Sequence, residues 1–321
     1  MSFIHEDPQF SDLLRVVADK RRLALALVEK DYWVTHLLWA LHEQGFEVWF
    51  KGGTSLSKGF ALIERFSEDL DLKIEPGRQN QMPRVGSWKS EGPKATSERR
   101  TSFQWLAANM RVPGATVRLD AERSEAQAWR AADLQVLYPA LHAATLPSGM
   151  KPYVLLEIGS ARVVPFVPRD LTSFVHEHLA EIGLASGYDD NRPHDVRCVH
   201  PLVTLLEKLD ALGRRAPRAD VEAATYVRHY EDVARIVAAF GALPPLTEHR
   251  DVRALAEEMT AQHQLARVPV AEDPAFDPSR LGHGDRIRAA HQAVGPMYWG
   301  PRLTLDDACA AIRTWVRDHL D

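Results

Sequence analysis

The sequence predicts an α+β protein: a mixed sheet with flanking helices over residues 1–200, then a helical C-terminal domain over residues 201–321. Three observations point there. Apolar residues recur at helical spacing near the N-terminus and again after Pro201. Between those regions, several short segments alternate or run apolar as strands do. After Pro168 the composition changes, and from Pro201 helix-like segments dominate.

Residues 10–44 read as helical, with Asp12 as a cap and a basic end at Lys20-Arg21-Arg22 that suits the helix dipole. Leu27, Lys30, Val34, Leu37, Leu38 and Leu41 recur at helical spacing, and Gly45 ends the run. Glu29, Lys30 and Asp31 sit beside this apolar surface. They read either as a solvated face or as an ion pair that positions the next loop. Phe46 to Phe50 is a strand, Gly52-Gly53 a turn, and Thr54 to about Arg65 a segment of helix length capped by Thr54 or Ser55. Leu70 to Ile74 is the next strand, closed by Pro76-Gly77.

Arg78 to about Ser102 is polar and basic, with Arg84, Lys89, Lys94, Arg99, Arg100 and Trp88. A solvated connection into a helix is the first reading, an RNA-contacting loop the second. Phe103 to Met110 reads as helix, and residues 116–120 and 134–139 as strands. Tyr153 to Ile158 is apolar except for Glu157, as expected of a strand buried on both faces. Pro165 to Pro168 is extended. Pro201 opens a helix whose buried stripe is Leu202, Leu205, Leu206, Leu209 and Leu212, with Lys208 on its flank. Arg214 to Arg218 is a basic loop. Residues 226–236 are helical, and Arg228 and Asp232, four apart, share a face as an ion pair would. Residues 255–264, 278–294 and 305–320 carry helical periodicity.

An apolar content of 45 % and a charged content of 26 % describe a globular chain with a sizeable core. Cys198 and Cys309 lie far apart without metal-ligand spacing, so a reducing cytoplasm fits. No signal peptide or membrane span is expected. The formal net charge of −5 excludes a global basic field, so nucleic acid would need local patches such as 84–100 and 214–218.

The chemistry concentrates between Phe50 and Leu72. Residues two apart in a strand point the same way, so Asp69 and Asp71 converge on one face while Leu70 and Leu72 face the core. Two hard oxygen ligands side by side suit Mg²⁺. The Gly52-Gly53 turn ahead of a helix offers backbone N–H groups to a phosphate. Together they read as phosphoryl or nucleotidyl transfer. Glu157, a lone acid in an apolar strand, is either a third carboxylate at the metal or a partner for a nearby arginine.

These residues resemble the AbiEii/AbiGii family of nucleotidyltransferases, which includes toxins of type IV toxin–antitoxin and abortive-infection pairs and the tRNA-modifying MenT group. The resemblance rests on Glu29 to Val34, on Lys51-Gly52-Gly53-Thr54-Ser55-Leu56-Ser57-Lys58, and on Arg65-Phe66-Ser67-Glu68-Asp69-Leu70-Asp71-Leu72. It extends to the Lys208 helix, Arg228 to Asp232, and Met297-Tyr298-Trp299-Gly300. It implies a polymerase-β-like nucleotidyltransferase core and a C-terminal domain that completes the active-site cleft. It also implies roles. Asp69 and Asp71 would hold Mg²⁺ against an NTP, and Glu157 would complete the metal site. Gly52, Gly53, Thr54 and Ser55 would cradle phosphate, with Lys58 a contact by position. Lys208 would neutralise triphosphate charge, and Asp232 would be a further essential acid. The implied acceptor is RNA, most concretely the 3′ end of tRNA, and the implied partner is an antitoxin encoded nearby that need not bind. A protein or small-molecule acceptor, or a nucleotide-binding module without catalysis, are the alternatives. The intact Asp-x-Asp argues against the last.

Overall fold

The computed structural model describes residues 1–67, 69–147 and 149–321; Glu68 of the second motif lies outside them. The chain divides into two compact units: residues 1–59, 67–161 and 168–198 form the first, and 60–66, 162–167 and 199–321 the second.

The first unit opens with α1 (Phe10–Arg21) and α2 (Leu25–Glu43). Asp12 is not the cap of α1: Gln9 holds that position, and Asp12 lies within the first turn, paired with Arg15 at 2.8 Å. Helix α2 is buried along nearly its whole length, with Tyr32 and Leu37 fully enclosed. Gly45 follows it with φ +81°, a left-handed exit that glycine adopts without steric cost.

Next come β1 (Glu47–Lys51), α3 (Gly52–Lys58), β2 (Asp69–Glu75) and α4 (Pro93–Asn109). Helix α3 is shorter than its sequence suggests. It starts at Gly52 and stops at Gly59, and Lys51 takes the cap position rather than Thr54 or Ser55. Helix α4 starts about ten residues earlier than expected, with Pro93 in its first turn, where the missing N–H costs nothing. Then follow β3 (Thr116–Asp120), α5 (Ala121–Ala126), β4 (Ala131–Leu137), β5 (Val154–Gly159), β6 (Phe166–Arg169), α6 (Phe174–Glu181) and β7 (Val196–Val199).

Among the described residues the strands form one mixed sheet in the order β3-β4-β5-β2-β1-β7-β6. Strand β5 is flanked on both sides, parallel to β2 and antiparallel to β4. Its Val154, Leu156 and Ile158 are buried, which is why the segment reads as apolar. Strand β2 alternates: Leu70, Leu72 and Ile74 enter the core, while Asp69, Asp71, Lys73 and Glu75 line the half-open face.

The second unit is helical over α7 (Pro201–Arg215), α8 (Arg228–Ala238), α9 (Val252–Ala261), α10 (Gly284–Ala293) and α11 (Leu305–His319). Pro201 occupies the first turn of α7, and Leu202, Leu205, Leu206, Leu209 and Leu212 are its buried stripe. Among the described residues no helix is long and apolar enough to cross a membrane.

Candidate active site

The glycine turn is built against a carboxylate. Gly52 has φ +73°, and a Cβ placed on it would fall 1.8 Å from Asp71 Oδ2. Both the backbone angle and the close approach therefore require glycine. Lys51 pairs with Asp71 in the antiparallel β1–β2 register, so the start of α3 rises directly beside the end of that strand pair. Gly53 and Thr54 follow in the first turn, where backbone N–H groups have no partner inside the helix, and Ser55 comes next. The Thr54 hydroxyl donates to the Asp69 carbonyl at 3.0 Å and fastens the turn to β2. Ser55 is buried, 2 % exposed.

Helix α2 secures the other end of α3. Lys58 Nζ lies 2.5 Å from Asp31 Oδ1, and Asp31 Oδ2 accepts the Phe174 N–H at 2.9 Å. Lys58, assigned to phosphate by position, is thus held by Asp31 in this structure. The Glu29-Lys30-Asp31 group is not a solvated face. Glu29 is 1 % exposed and accepts the N–H groups of Leu141 and His142 at 2.8 and 3.0 Å, which satisfies a charge that burial would otherwise penalise.

Strand register gathers the acids. Asp71 lies opposite Glu157 in the parallel β2–β5 pair, and Asp69 opposite Leu155. Glu157 in turn lies opposite Asp133 of β4. The carboxyl of Glu157 is pushed up to about 7, by burial first and then by Asp69, Asp71 and Asp133. Arg123 partly offsets this, with Nη2 3.2 Å from Glu157 Oε1. Glu157 therefore has the arginine partner of one of its two readings. It also neighbours the aspartates. Asp69, Asp71 and Glu157 share one face of adjacent strands, though among the described residues no three His, Cys, Asp or Glu side chains form a ready metal cage. Asp133 was legible as the acid of an Asp133-x-Gln135 alternation; Arg123 had no local signal.

Lys208 and Asp232 belong to the second unit, and there they meet. Asp232 is fully buried. Arg65 grips it with both edges, Nε to Oδ1 at 2.7 Å and Nη2 to Oδ2 at 2.6 Å. Lys208 Nζ lies 2.9 Å from Oδ2. Burial opposes the Asp232 charge, but Arg65 and then Lys208 outweigh it and hold the carboxyl well below its ordinary range. Lys208 also donates to His229 Nδ1 at 3.2 Å, and burial followed by Lys208 itself keeps that imidazole neutral. Lys208 is accordingly buried rather than solvated. The expected Arg228–Asp232 pair gives way to Arg65, while Arg228 Nη1 lies 4.0 Å from Met297 Sδ. Arg65 stood in the quoted motif without a role. Its backbone bridges to Tyr298, and Phe66 N donates to Met297 O at 3.0 Å, so the late Met297 to Gly300 motif serves to seat it.

The basic patches are partly internal. Arg99 is wholly buried and donates to the carbonyls of Ser87, Ser90 and Ala128. Arg84, Lys89, Lys94 and Arg100 are exposed. Arg214 and Arg218 pair with Asp210 and Asp220, each at 2.7 Å.

No curated protein sequence matches the chain significantly. Among solved structures it is similar to the MenT4 nucleotidyltransferase toxin of Mycobacterium tuberculosis H37Rv, at 16 % identity and TM-score 0.49 over 94 % of this chain and 99 % of that one. It is also similar to JHP933 from Helicobacter pylori, at 13 % identity and TM-score 0.41 over 90 % and 89 %. A family model described as nucleotidyl transferase AbiEii toxin, type IV toxin–antitoxin system, matches residues 36–297. That span is most of the sequence, and the chain belongs to the AbiEii family of nucleotidyltransferase toxins.

Proposed function

We propose that this nucleotidyltransferase transfers NMP from an NTP to RNA, at the 3′ end of tRNA, and that the modified tRNA blocks translation and growth. The supporting observation is Asp69 and Asp71 on one strand face, Glu157 on the neighbouring strand, and the Gly52 backbone against Asp71. The acceptor comes from the family resemblance.

The donor set fits a hard divalent cation. Asp71 lies opposite Glu157, and burial, followed by the charges of Asp69, Asp71 and Asp133, raises the Glu157 pKa to about 7. Mg²⁺ commonly uses one or two carboxylates and completes its shell with substrate phosphate and water, so a closed protein cage is not required. Asp69, Asp71 and Glu157 would hold it. When bound, Mg²⁺ supplies neutralisation of the triphosphate and of the pyrophosphate leaving group.

The chain's own residues do the remaining work. N–H groups of Gly52, Gly53 and Thr54, with the Ser55 hydroxyl, hold the β- and γ-phosphates. Thr54 keeps this turn in place through Asp69 O. Lys208 supplies a compact positive charge, aimed by Asp232 and by the lone pair of neutral His229. Glu157 takes the proton of the attacking hydroxyl. The family implies a cognate antitoxin; we place its gene beside this one and the toxin in the cytoplasm.

Incubating the protein with labelled NTPs, Mg²⁺ and total RNA tests the reading. Label is expected in tRNA-sized RNA for the wild type and at least about 100-fold less for Asp69→Ala. Label entering protein or small molecules and never RNA would overturn the acceptor. Equal labelling by Asp69→Ala would overturn the site.

A further inference from the structure

A buried acid and an exposed arginine stand beside Glu157. The Asp133 side chain is 3 % exposed, and its register partner across β5 is Glu157. A lone carboxylate there would be costly to bury. Arg123 compensates it: Nε lies 2.6 Å from Asp133 Oδ2, and Nη2 lies 3.2 Å from Glu157 Oε1. One planar fork thus spans two carboxylates on neighbouring strands.

The backbone of Arg123 is planted. Helix α5 leaves β3 directly, and Asp120 caps it by accepting the Arg123 N–H at 3.1 Å. Ser124 Oγ donates to Asp120 O at 2.7 Å, and Ser124 is wholly buried. Trp129, 1 % exposed, closes the link to β4 with its indole N–H on Glu125 at 2.8 Å. The arginine therefore rises from a fixed point beside the sheet. Its grip commits one oxygen of Glu157 on the β4 side. The residue opposite Glu157 on its other side is Asp71.

We infer that Arg123, anchored by Asp133, is a positioning residue that fixes the carboxylate of Glu157 for the cation shared with Asp69 and Asp71. This rests on the cation site proposed above. It also makes an unusual demand on sign. Coulomb attraction alone says that deleting a positive charge beside a cation site tightens cation binding. Positioning says the reverse, because partners that orient a ligand typically contribute 10–100-fold to metal affinity.

Mn²⁺ alone, without nucleotide, is titrated into the full chain and followed by electron paramagnetic resonance, with a thermal melt of each variant alongside. Arg123→Ala is expected to weaken Mn²⁺ binding about tenfold. Glu157→Ala should weaken it as much or more. The double variant should bind no more weakly than Glu157→Ala, because Arg123 acts through Glu157. Arg123→Lys should recover only part, since an ammonium cannot span both acids. Unchanged or tighter binding by folded Arg123→Ala overturns the inference and leaves the arginine as charge compensation for Asp133. Should that variant not fold, Asp133→Asn carries the same expectation and the same refutation. Wild-type affinity in Glu157→Ala overturns the cation-site reading itself, which is a separate failure.

Discussion

At the scale of the residue, Gly52 has the least freedom in the site. Its φ of +73° and the 1.8 Å approach of a hypothetical Cβ to Asp71 Oδ2 act together. Gly52→Ala should cost about 1–2 kcal/mol from the backbone alone. It should also push Asp71 aside, lowering activity about 100-fold in protein that still folds. Urea unfolding and NTP turnover read the two effects separately. Arg65 is the counterpart in the second unit. Arg65→Ala leaves Asp232 buried with Lys208 alone, and a loss of about 3–5 kcal/mol is expected in the same urea experiment. Arg65→Ala/Asp232→Asn should not recover it, because Lys208 is then left buried without its acid. If Arg65→Ala is fully stable, the buried pair is not structural. Asp69 and Asp71 were legible because strand period is local. Arg65 was not, because its partner lies 167 positions away and only tertiary packing joins them.

At the scale of the element, α2 does more than fill the core. One end holds Asp31 against Lys58 of α3. Further along, Tyr32 and His36 enter a buried network in which Asn191 Nδ2 donates to Tyr32 Oη at 3.0 Å and reaches His36 Nδ1 at 2.8 Å. His176 Nε2 lies 2.7 Å from Asn191 Oδ1. Burial, the leading cause in both, lowers His36 to about 3 and His176 to about 4, against an ordinary 6.5. Between those values the unfolded chain binds protons that the folded chain does not. This contribution to stability is therefore complete above about pH 6.5 and is lost as pH falls toward 4. Thermal melts from pH 7.5 to 4.5 should show a falling midpoint, and a His36→Gln/His176→Gln variant should show a shallower fall. An equal slope in both would remove the histidines from the account. The apolar spacing of α2 was plain in the sequence, but its enclosure was not: Glu29 to Asp31 read equally as a solvated face or as an ion pair, and the groups that satisfy Glu29 and Asp31, on Leu141, His142, Lys58 and Phe174, lie elsewhere in the chain. Helix α3 was overestimated for the opposite reason, since residues 60–66 pack with the second unit rather than continue the helix.

At the scale of the whole molecule, the residues singled out in the sequence fall in both units. The first carries the glycine turn and the carboxylates, the second Lys208, Asp232 and Arg65. The mixture of strands and helices was readable from composition and period, whereas the allocation of 60–66 and 162–167 to the helical unit follows from packing alone. A net charge of −5 leaves RNA to local patches, and burial of Arg99 narrows the first of them to its exposed members. Membership of the AbiEii family establishes a nucleotidyltransferase; its acceptor is the point on which the proposed toxicity depends. The direct test is mass analysis of tRNA 3′ ends after reaction with each of the four NTPs and Mg²⁺, wild type beside Asp69→Ala. The account predicts tRNA heavier by one or more nucleotides for at least one NTP, absent in the variant. Unmodified tRNA with every NTP, from protein that transfers NMP to another acceptor and releases pyrophosphate, would contradict it.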